Sequence, residues 1–413
     1  MFVGLVAVAL FGGWLGTHAW DRAQPRHLGE YIGWAKLVAD PAPFGQGLRA
    51  TFEIEGERFD AWVYGGQRRK LADRQAGEFV WVSGRRDELT RGARRAAVRH
   101  VVGRFTPTVL ADVLAGSALD QASNRVRRSL RRVAEATMGS DDAALFTGLV
   151  IGDDGRQRPE VIEAFRGSGL SHLTAVSGQN VAFVLAAAVP LLRRLRPWWR
   201  WAATVALVAW FMALTRFEPS VLRAGVMAIL AATAFVRGAQ ATPIRLLALA
   251  IIALVTLDPL LVWSVGFWLS VGATAGVCVL GPWLRERLPG PQWLRLPMAV
   301  TLGAQLGVAL PSVLVFHRLP AVSLPANVLA VPVAGFVMLY GLPAGMVAAA
   351  LPSALQRLVM LPAEWGTHWV SLVAQLGFAV EPAPLWSAAC WVIALVAWLC
   401  WWHFRPHAPR VPI

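Results

Sequence analysis

Two sets of side chains have the types and spacing to do chemistry. The first lies in apolar surroundings: His172, Ser177, Gly178, Gln179 and Asn180, followed by Arg223, Gln305 and Asn327. Amides, hydroxyls and a guanidinium cost free energy in hydrocarbon, so together they predict a polar interior that faces protein or water. Taken singly, each has a plainer account, either a helix-to-helix hydrogen bond or an arginine reaching the interface. Gly178 permits a helix break, and Pro325 and Pro332 bracket Asn327, which predicts an irregular segment lining a cavity. Bond cleavage fits less well. His172 and Ser177 are five residues apart and do not stack on one helix face, and no acidic side chain lies near to orient the imidazole.

The second set is aromatic and basic: Trp62, Tyr64 and Trp81, with Arg94 and Arg95 nearby. Aromatic faces stack on bases and arginines neutralise phosphates, so this set fits weak, sequence-independent contact with single-stranded nucleic acid. The alternative is that the rings are barrel core and the charges a solvated face. The same alternatives hold for the runs Arg91 to Arg104 and Asn124 to Arg132, read as positive surface open to phosphate or anionic lipid.

The elements that must position these groups follow from composition. With 413 residues, 56% hydrophobic, 15% charged and a mean hydropathy of +0.50, the chain is not water-soluble and reads as a helical membrane protein. Charge divides it. Residues 22–132 hold 21 of the 39 basic side chains and read as a soluble insert. Residues 1–21 carry no positive n-region and read as an uncleaved anchor. Inside the insert the period is two: Thr51–Glu55, Arg58–Tyr64 and Glu78–Ser83 are strand-like, with a hairpin turn at Glu55–Glu57 and a further strand at Val98–Phe105. That pattern predicts a small OB-like barrel over 22–115, then a basic helical linker over 116–142 and a membrane domain over 143–404, with a tail over 405–413.

Spans are expected near 168–190, 198–215, 219–236, 244–258, 260–282, 296–316, 321–349, 357–380 and 384–404, ten with the anchor. The Arg clusters at 193–200, 237–245 and 285–295 fall on one side, which the positive-inside rule makes cytoplasmic. The insert is then extracytoplasmic and both termini are cytoplasmic. Cys278, Cys390 and Cys400 lie in apolar runs with no metal-ligand spacing, so no metal or other cofactor is expected.

The residues Gly167 to Val181, Pro219 to Met227, Asp258 to Ser270, Ala304–Gln305 and Ala326 to Pro332 resemble, in order over about 190 residues, the successive signatures of the ComEC competence family. The resemblance implies a channel in the inner membrane that passes single-stranded DNA into the cytoplasm during natural transformation, with no catalytic role, and an extracytoplasmic OB-like domain. It also implies partners: membrane lipids, a cytoplasmic ATPase motor, a single-strand-binding protein, a DNA receptor and a separate nuclease. No GxxxxGK[ST] motif is present to make the chain its own motor. Two departures are visible. Many members carry a His where this chain has Asn180, and long members continue into a metallo-β-lactamase-like domain, whose HxHxDH cluster does not occur before Ile413. Two other functions fit the residues: a transporter of small solutes or lipid-linked substrates, whose sign would be an internal inverted repeat, and a non-catalytic membrane scaffold, whose buried polar set would tolerate substitution.

Overall fold

The computed structural model describes residues 2–400, apart from residues 91, 175–176, 317–319, 384–385, 388, 394–395 and 398–399. The span expected at 384–404 and the tail at 405–413 therefore lie largely outside the described residues. A first helix α1 (Phe2–Arg22) leads into a mixed sheet: β1 (Gly29–Leu37), β2 (Ala42–Phe44), β3 (Gly47–Ile54), β4 (Glu57–Val63), helix α2 (Gly65–Ala72), β5 (Phe79–Glu88), a short helix α3 (Ala93–Ala97) and β6 (Val101–Leu114).

The strand order is β1-β5-β6-β4-β3-β2, and β1 also pairs with β3, so five strands close into a ring. Closure removes the edges that an open sheet would leave unpaired. All pairs are antiparallel except β4 with β6. Alternation fixes the inside: Leu48, Ala50, Phe52 and Ile54 of β3 and Phe59, Ala61 and Val63 of β4 are buried, and Phe52 meets Phe105 edge-on at 5.9 Å. The expected turn is present, with Glu55 at φ 52 and Gly56 at φ 81, as a two-residue hairpin requires. The strand expected at Val98–Phe105 begins later and runs further. Val98 to His100 close the turn after α3, with His100 at φ 58, and Val101–Leu114 pairs along the whole of β5.

Beyond β6 the described chain is helical: α4 (Ala118–Thr137), α5 (Ser140–Ile151), α6 (Pro159–Gly167), α7 (Ser171–Thr174), α8 (Gly178–Leu192), α9 (Pro197–Leu214), α10 (Pro219–Val236), α11 (Pro243–Leu257), a 3-10 turn (Pro259–Trp263), α12 (Val265–Arg287), α13 (Gln292–Phe316), α14 (Ser323–Ala348) and α15 (Ser353–Val380). Among the described residues, four helices (α10, α12, α13 and α14) are long and apolar enough to cross a bilayer, while α8 and α11 are apolar but shorter.

The helix α4 divides the run 124–132 read as positive surface: Arg125, Arg128 and Arg132 are exposed and Arg127 is buried. A capping box starts it: Ser117 Oγ accepts the Asp120 N–H, and Asp120 accepts the Ser117 N–H, both at 3.2 Å. From there Asn124, Arg127, Leu130, Val133 and Ala134 share its buried face. Arg127 is only 2% exposed. A count of charges cannot see this, because α4 is covered on one side by α5, α9, α14 and α15.

Candidate functional site

The polar residues of the membrane domain gather into two groups. The first forms where the 168–190 segment breaks into α6, α7 and α8. Ser177 caps α8: its Oγ accepts the Gln179 N–H at 3.3 Å and donates to Asn180 Oδ1 at 3.2 Å. Asn180, 2% exposed, donates through Nδ2 to the carbonyl of Leu149 at 3.0 Å, which ties the start of α8 to the end of α5. Arg223, in the second turn of α10, reaches the same place. A Cβ on Gly178 would sit 2.7 Å from Arg223 Nη2, so a larger residue there would displace the guanidinium.

Arg223 is 5% exposed and its described partners are neutral: Nε donates to Ser270 Oγ at 2.9 Å and Nη1 points at Met227 Sδ at 3.3 Å. No carboxylate pairs with it among the described residues. A guanidinium buried without a counter-ion is expensive, and an anion that visits the site would relieve that cost. Gln179 and His172 of the same segment are exposed.

The second group joins α13 to α14. Gln305 Nε2 donates to Ser323 Oγ through a short contact, while its Oε1 is buried without a partner among the described residues. Ser323 Oγ also donates to Pro320 O at 2.7 Å, and Asn327 Nδ2 donates to Ser323 O at 2.7 Å. Glu381 closes the arrangement, its carboxylate accepting the N–H groups of Ala321 and Val322, both at 3.0 Å. The irregular segment expected around Asn327 is instead regular helix. Pro325 falls in the first turn of α14, where a missing N–H removes no intrahelical bond, and Pro332 is absorbed inside the helix. Asn327 therefore bonds back to its own helix, its Nδ2 donating to the carbonyl four residues earlier.

On the sheet domain the expected surface divides. Trp62 lies on the outer side of β4 with Arg104 stacked over its ring at 5.3 Å and Phe44 edge-on at 6.2 Å. Arg49 is its partner across β3. Arg99 reaches over the same face to Asp60, at 2.7 Å, and burial together with the Arg99 charge pushes the Arg49 guanidinium below its usual range. Asp60 alone, 1% exposed and also held by Thr51 Oγ1 at 2.7 Å, answers this crowd of cations. Trp81 belongs elsewhere: it faces Trp34 on β1 at 5.3 Å, six residues along β5 from Asp87, the residue opposite Arg104. Tyr64 follows β4 and is exposed, as are Arg94 and Arg95 on α3, but nothing in the described contacts draws them to Trp62. The sequence missed Phe44 and Arg49 and named Arg104 only as the end of a basic run; strand register brings the three to Trp62.

Between sheet and helices lies an ionic hub. Asp40, in the loop after β1, accepts Arg127 Nη2 at 2.8 Å, Arg216 Nη2 at 2.8 Å and the Ala76 N–H at 2.7 Å. Arg127 also donates to the end carbonyls Ile151 O at 2.8 Å and Leu214 O at 3.0 Å, where helix dipoles favour a cation. Arg216 takes a left-handed backbone, φ 59, to reach Asp40 and Asn124. Burial pushes the Asp40 carboxyl up, but the charges of Arg127 and Arg216 and the Ala76 N–H outweigh it and hold its pKa at about 2.

Residues 149–405 match the competence protein family. The chain belongs to that family. Similar curated proteins include Competence protein ComA of Neisseria gonorrhoeae, 31% identical over 284 residues that cover 63% of this chain and 39% of that protein. ComE operon protein 3 of Bacillus subtilis (strain 168) is 28% identical over 275 residues, covering 63% of this chain and 34% of that protein. Uncharacterized protein YcaI of Escherichia coli (strain K12) is 27% identical over 211 residues, 47% of this chain and 28% of that protein. The chain thus spans well under half the length of the curated relatives it matches. No solved structure matches it.

The matched region contains both polar groups of this competence-family membrane protein, while the sheet domain and most of the hub's sheet-side residues precede it. Ser270, which holds Arg223, ends the Asp258 to Ser270 signature but has no spacing that points to Arg223, and Ser323 and Glu381 carry no local signal. Gln157 was also missed. It is 8% exposed, with neither amide atom partnered among the described residues, and its Nε2 lies 2.3 Å from where a Cβ of Gly148 would be.

Proposed function

We propose that this competence-family protein forms a conduit in the inner membrane that passes single-stranded DNA into the cytoplasm, in keeping with the names of two of its relatives. The reading takes ten spans, both termini in the cytoplasm and the sheet domain outside. The domain's strand ring β1-β3-β4-β6-β5, with α2 between β4 and β5 along the chain, supports its reading as OB-like, and the Trp62 face is where it would gather the strand. The protein is proposed to act without catalysing a reaction. A separate ATPase motor, single-strand-binding protein, DNA receptor and nuclease would supply the remaining steps.

One observation carries the reading: Arg223 is buried beside the break at Gly178 and has only neutral partners among the described residues. A strand carries one negative charge per nucleotide and needs a wet, positively biased path across the membrane. Arg223 offers transient charge at a point where Ser177 and Asn180 supply hydroxyl and amide groups in place of water. Arg223→Ala should reduce uptake of labelled DNA strongly, with protein level and membrane insertion near wild type. Arg223→Lys keeps the charge but loses the planar fork, and should fall between the two. Normal uptake by an Arg223→Ala protein that accumulates normally would remove the electrostatic element of the conduit.

A further inference from the structure

The hairpin of α12 and α13 ends in a basic groove remote from Arg223, whose contact Ser270 lies about 22 Å further down α12 from Arg285. Residues 288–291 join the two helices, and both are long and apolar enough to cross a bilayer. Their glycines fix the register: a Cβ on Gly272 would lie 2.5 Å from Gly307 O, and one on Gly276 2.0 Å from Gly303 O. Carried along two antiparallel helices at about 1.5 Å per residue, that register sets Arg285 level with Leu294, one position from Arg295. The two arginines do share a groove of about 330 Å³, lined also by Pro282, Glu286 and Gln292. Depth follows from the sequence. The 20 residues from Val265 to Leu284 and the 21 from Leu296 to Phe316 hold no charged side chain, and each run is about 30 Å long, the thickness of the hydrocarbon core. On this hairpin Arg285 and Arg295 are therefore the first charges beyond the core, at the level of the lipid phosphates.

The groove carries surplus positive charge. Glu286 is answered by Arg287, 3.8 Å away, while no carboxylate pairs with Arg285 or Arg295 among the described residues. Arg295 uses Nε on Gly290 O at 2.5 Å, which leaves its Nη groups to another acceptor. Few residues of either helix are buried among the described ones, and Trp293 and Leu296, flanking Arg295, are exposed, so the tip is open to lipid. Trp283 and Trp293 stand near the same level, where tryptophan is enriched. We infer that the groove holds the phosphate of an anionic phospholipid between Arg285 and Arg295, with Gln292 donating to the headgroup. A guanidinium meets a phosphate through paired N–H donors, and a basic pocket between crossing helices at the membrane surface favours anionic headgroups. A zwitterionic headgroup would bring its ammonium towards the same two cations, and the groove's one carboxylate is already engaged by Arg287.

Native mass spectrometry of the full chain in detergent tests this, with phosphatidylglycerol, phosphatidylethanolamine and phosphatidylcholine offered in equal amounts. Wild type should retain phosphatidylglycerol over the other two. Arg285→Gln and Arg295→Gln should each lower that retention about fivefold, the order of one arginine at an anionic surface. Arg245→Gln, at an exposed arginine in the first turn of α11, should leave it unchanged, and Glu286→Gln should not lower it. Equal retention of the three lipids would overturn the inference, as would unchanged retention in Arg285→Gln. An equal loss in Arg245→Gln would also overturn it, since that describes a general attraction to positive surface. A preference for phosphatidylethanolamine that is lost in Glu286→Gln would replace it with a zwitterionic site. Displacement of phosphatidylglycerol by a single-stranded oligonucleotide whose own binding falls in Arg285→Gln would replace it with a nucleic-acid contact.

Discussion

Replacing Asp40 should loosen the join between sheet and helices more than any other single polar change in the extramembrane part. Its carboxylate is about one-fifth exposed and holds two guanidiniums, one of which, Arg127, is 2% exposed. Two routes give the magnitude. The shift of the Asp40 pKa from 3.8 to about 2 corresponds to about 2 kcal/mol at 1.36 kcal/mol per unit, the difference between the charged and neutral acid in place. Removing the side chain also strands buried N–H donors, and breaking a buried pair from one side costs about 3–5 kcal/mol. Asp153 Oδ1, 3.8 Å from Arg127, recovers part of that, so Asp40→Ala should cost about 3 kcal/mol and Asp40→Asn about 2. The sign with pH follows from the depressed pKa: the contribution is complete above 3.8 and is lost as pH falls through the interval from 3.8 to about 2. Thermal or denaturant unfolding of the detergent-solubilised chain, followed by tryptophan fluorescence, reads both effects. Wild type should lose about 2 kcal/mol relative to Asp40→Asn between pH 4 and pH 2. A cost below about 0.5 kcal/mol for Asp40→Ala, within the range of ordinary surface changes, or the same acid loss in Asp40→Asn, would refute the hub as a stabilising element.

Other perturbations follow from named contacts. On the α12–α13 pair, a Cβ on Gly276 would lie 2.0 Å from Gly303 O, so Gly276→Leu should force the helices apart and cost at least about 1–3 kcal/mol in unfolding by sodium dodecyl sulfate titration; unchanged unfolding would mean the crossing is not tight. On the sheet domain, Trp62→Ala should weaken binding of an oligonucleotide to the full chain by about 1–3 kcal/mol. Arg104→Ala should shallow the slope of log K against log salt by about 0.7, one phosphate's worth for a single strand. Equal effects from Trp81→Ala would return the platform to the wider set. For topology, a Cys at the exposed Arg69 should react with an impermeant maleimide in intact cells and one at Pro289 should not; the reverse pattern would invert the orientation.

What the sequence determined by itself is what local spacing can encode. Apolar runs near the length of a bilayer crossing set most of the helices to within a few residues, as at 219–236, which is α10 residue for residue. The strand period of two placed Phe52 and Phe59 inside, and Gly178 marked the helix break, because each depends on neighbours within about four positions. Tertiary structure decided the partners. Arg127 looks like its neighbours Arg125 and Arg128, yet it is the one pointed at the carbonyls of Ile151 and Leu214, whereas Arg128 reaches Gln75 and Glu78 of the sheet domain. Trp62 and Trp81 have similar strand contexts, and only the register of β4, β5 and β6 separates them. Gln305 meets Ser323 because α14 starts beside the middle of α13, and Asn327 bonds back to Ser323 O within its own helix. The physical reason is that burying a polar group is costly without a partner, as the bonds of Arg127 and Asn327 show. Which partner is available is set by how distant segments pack, and no spacing along the chain records it.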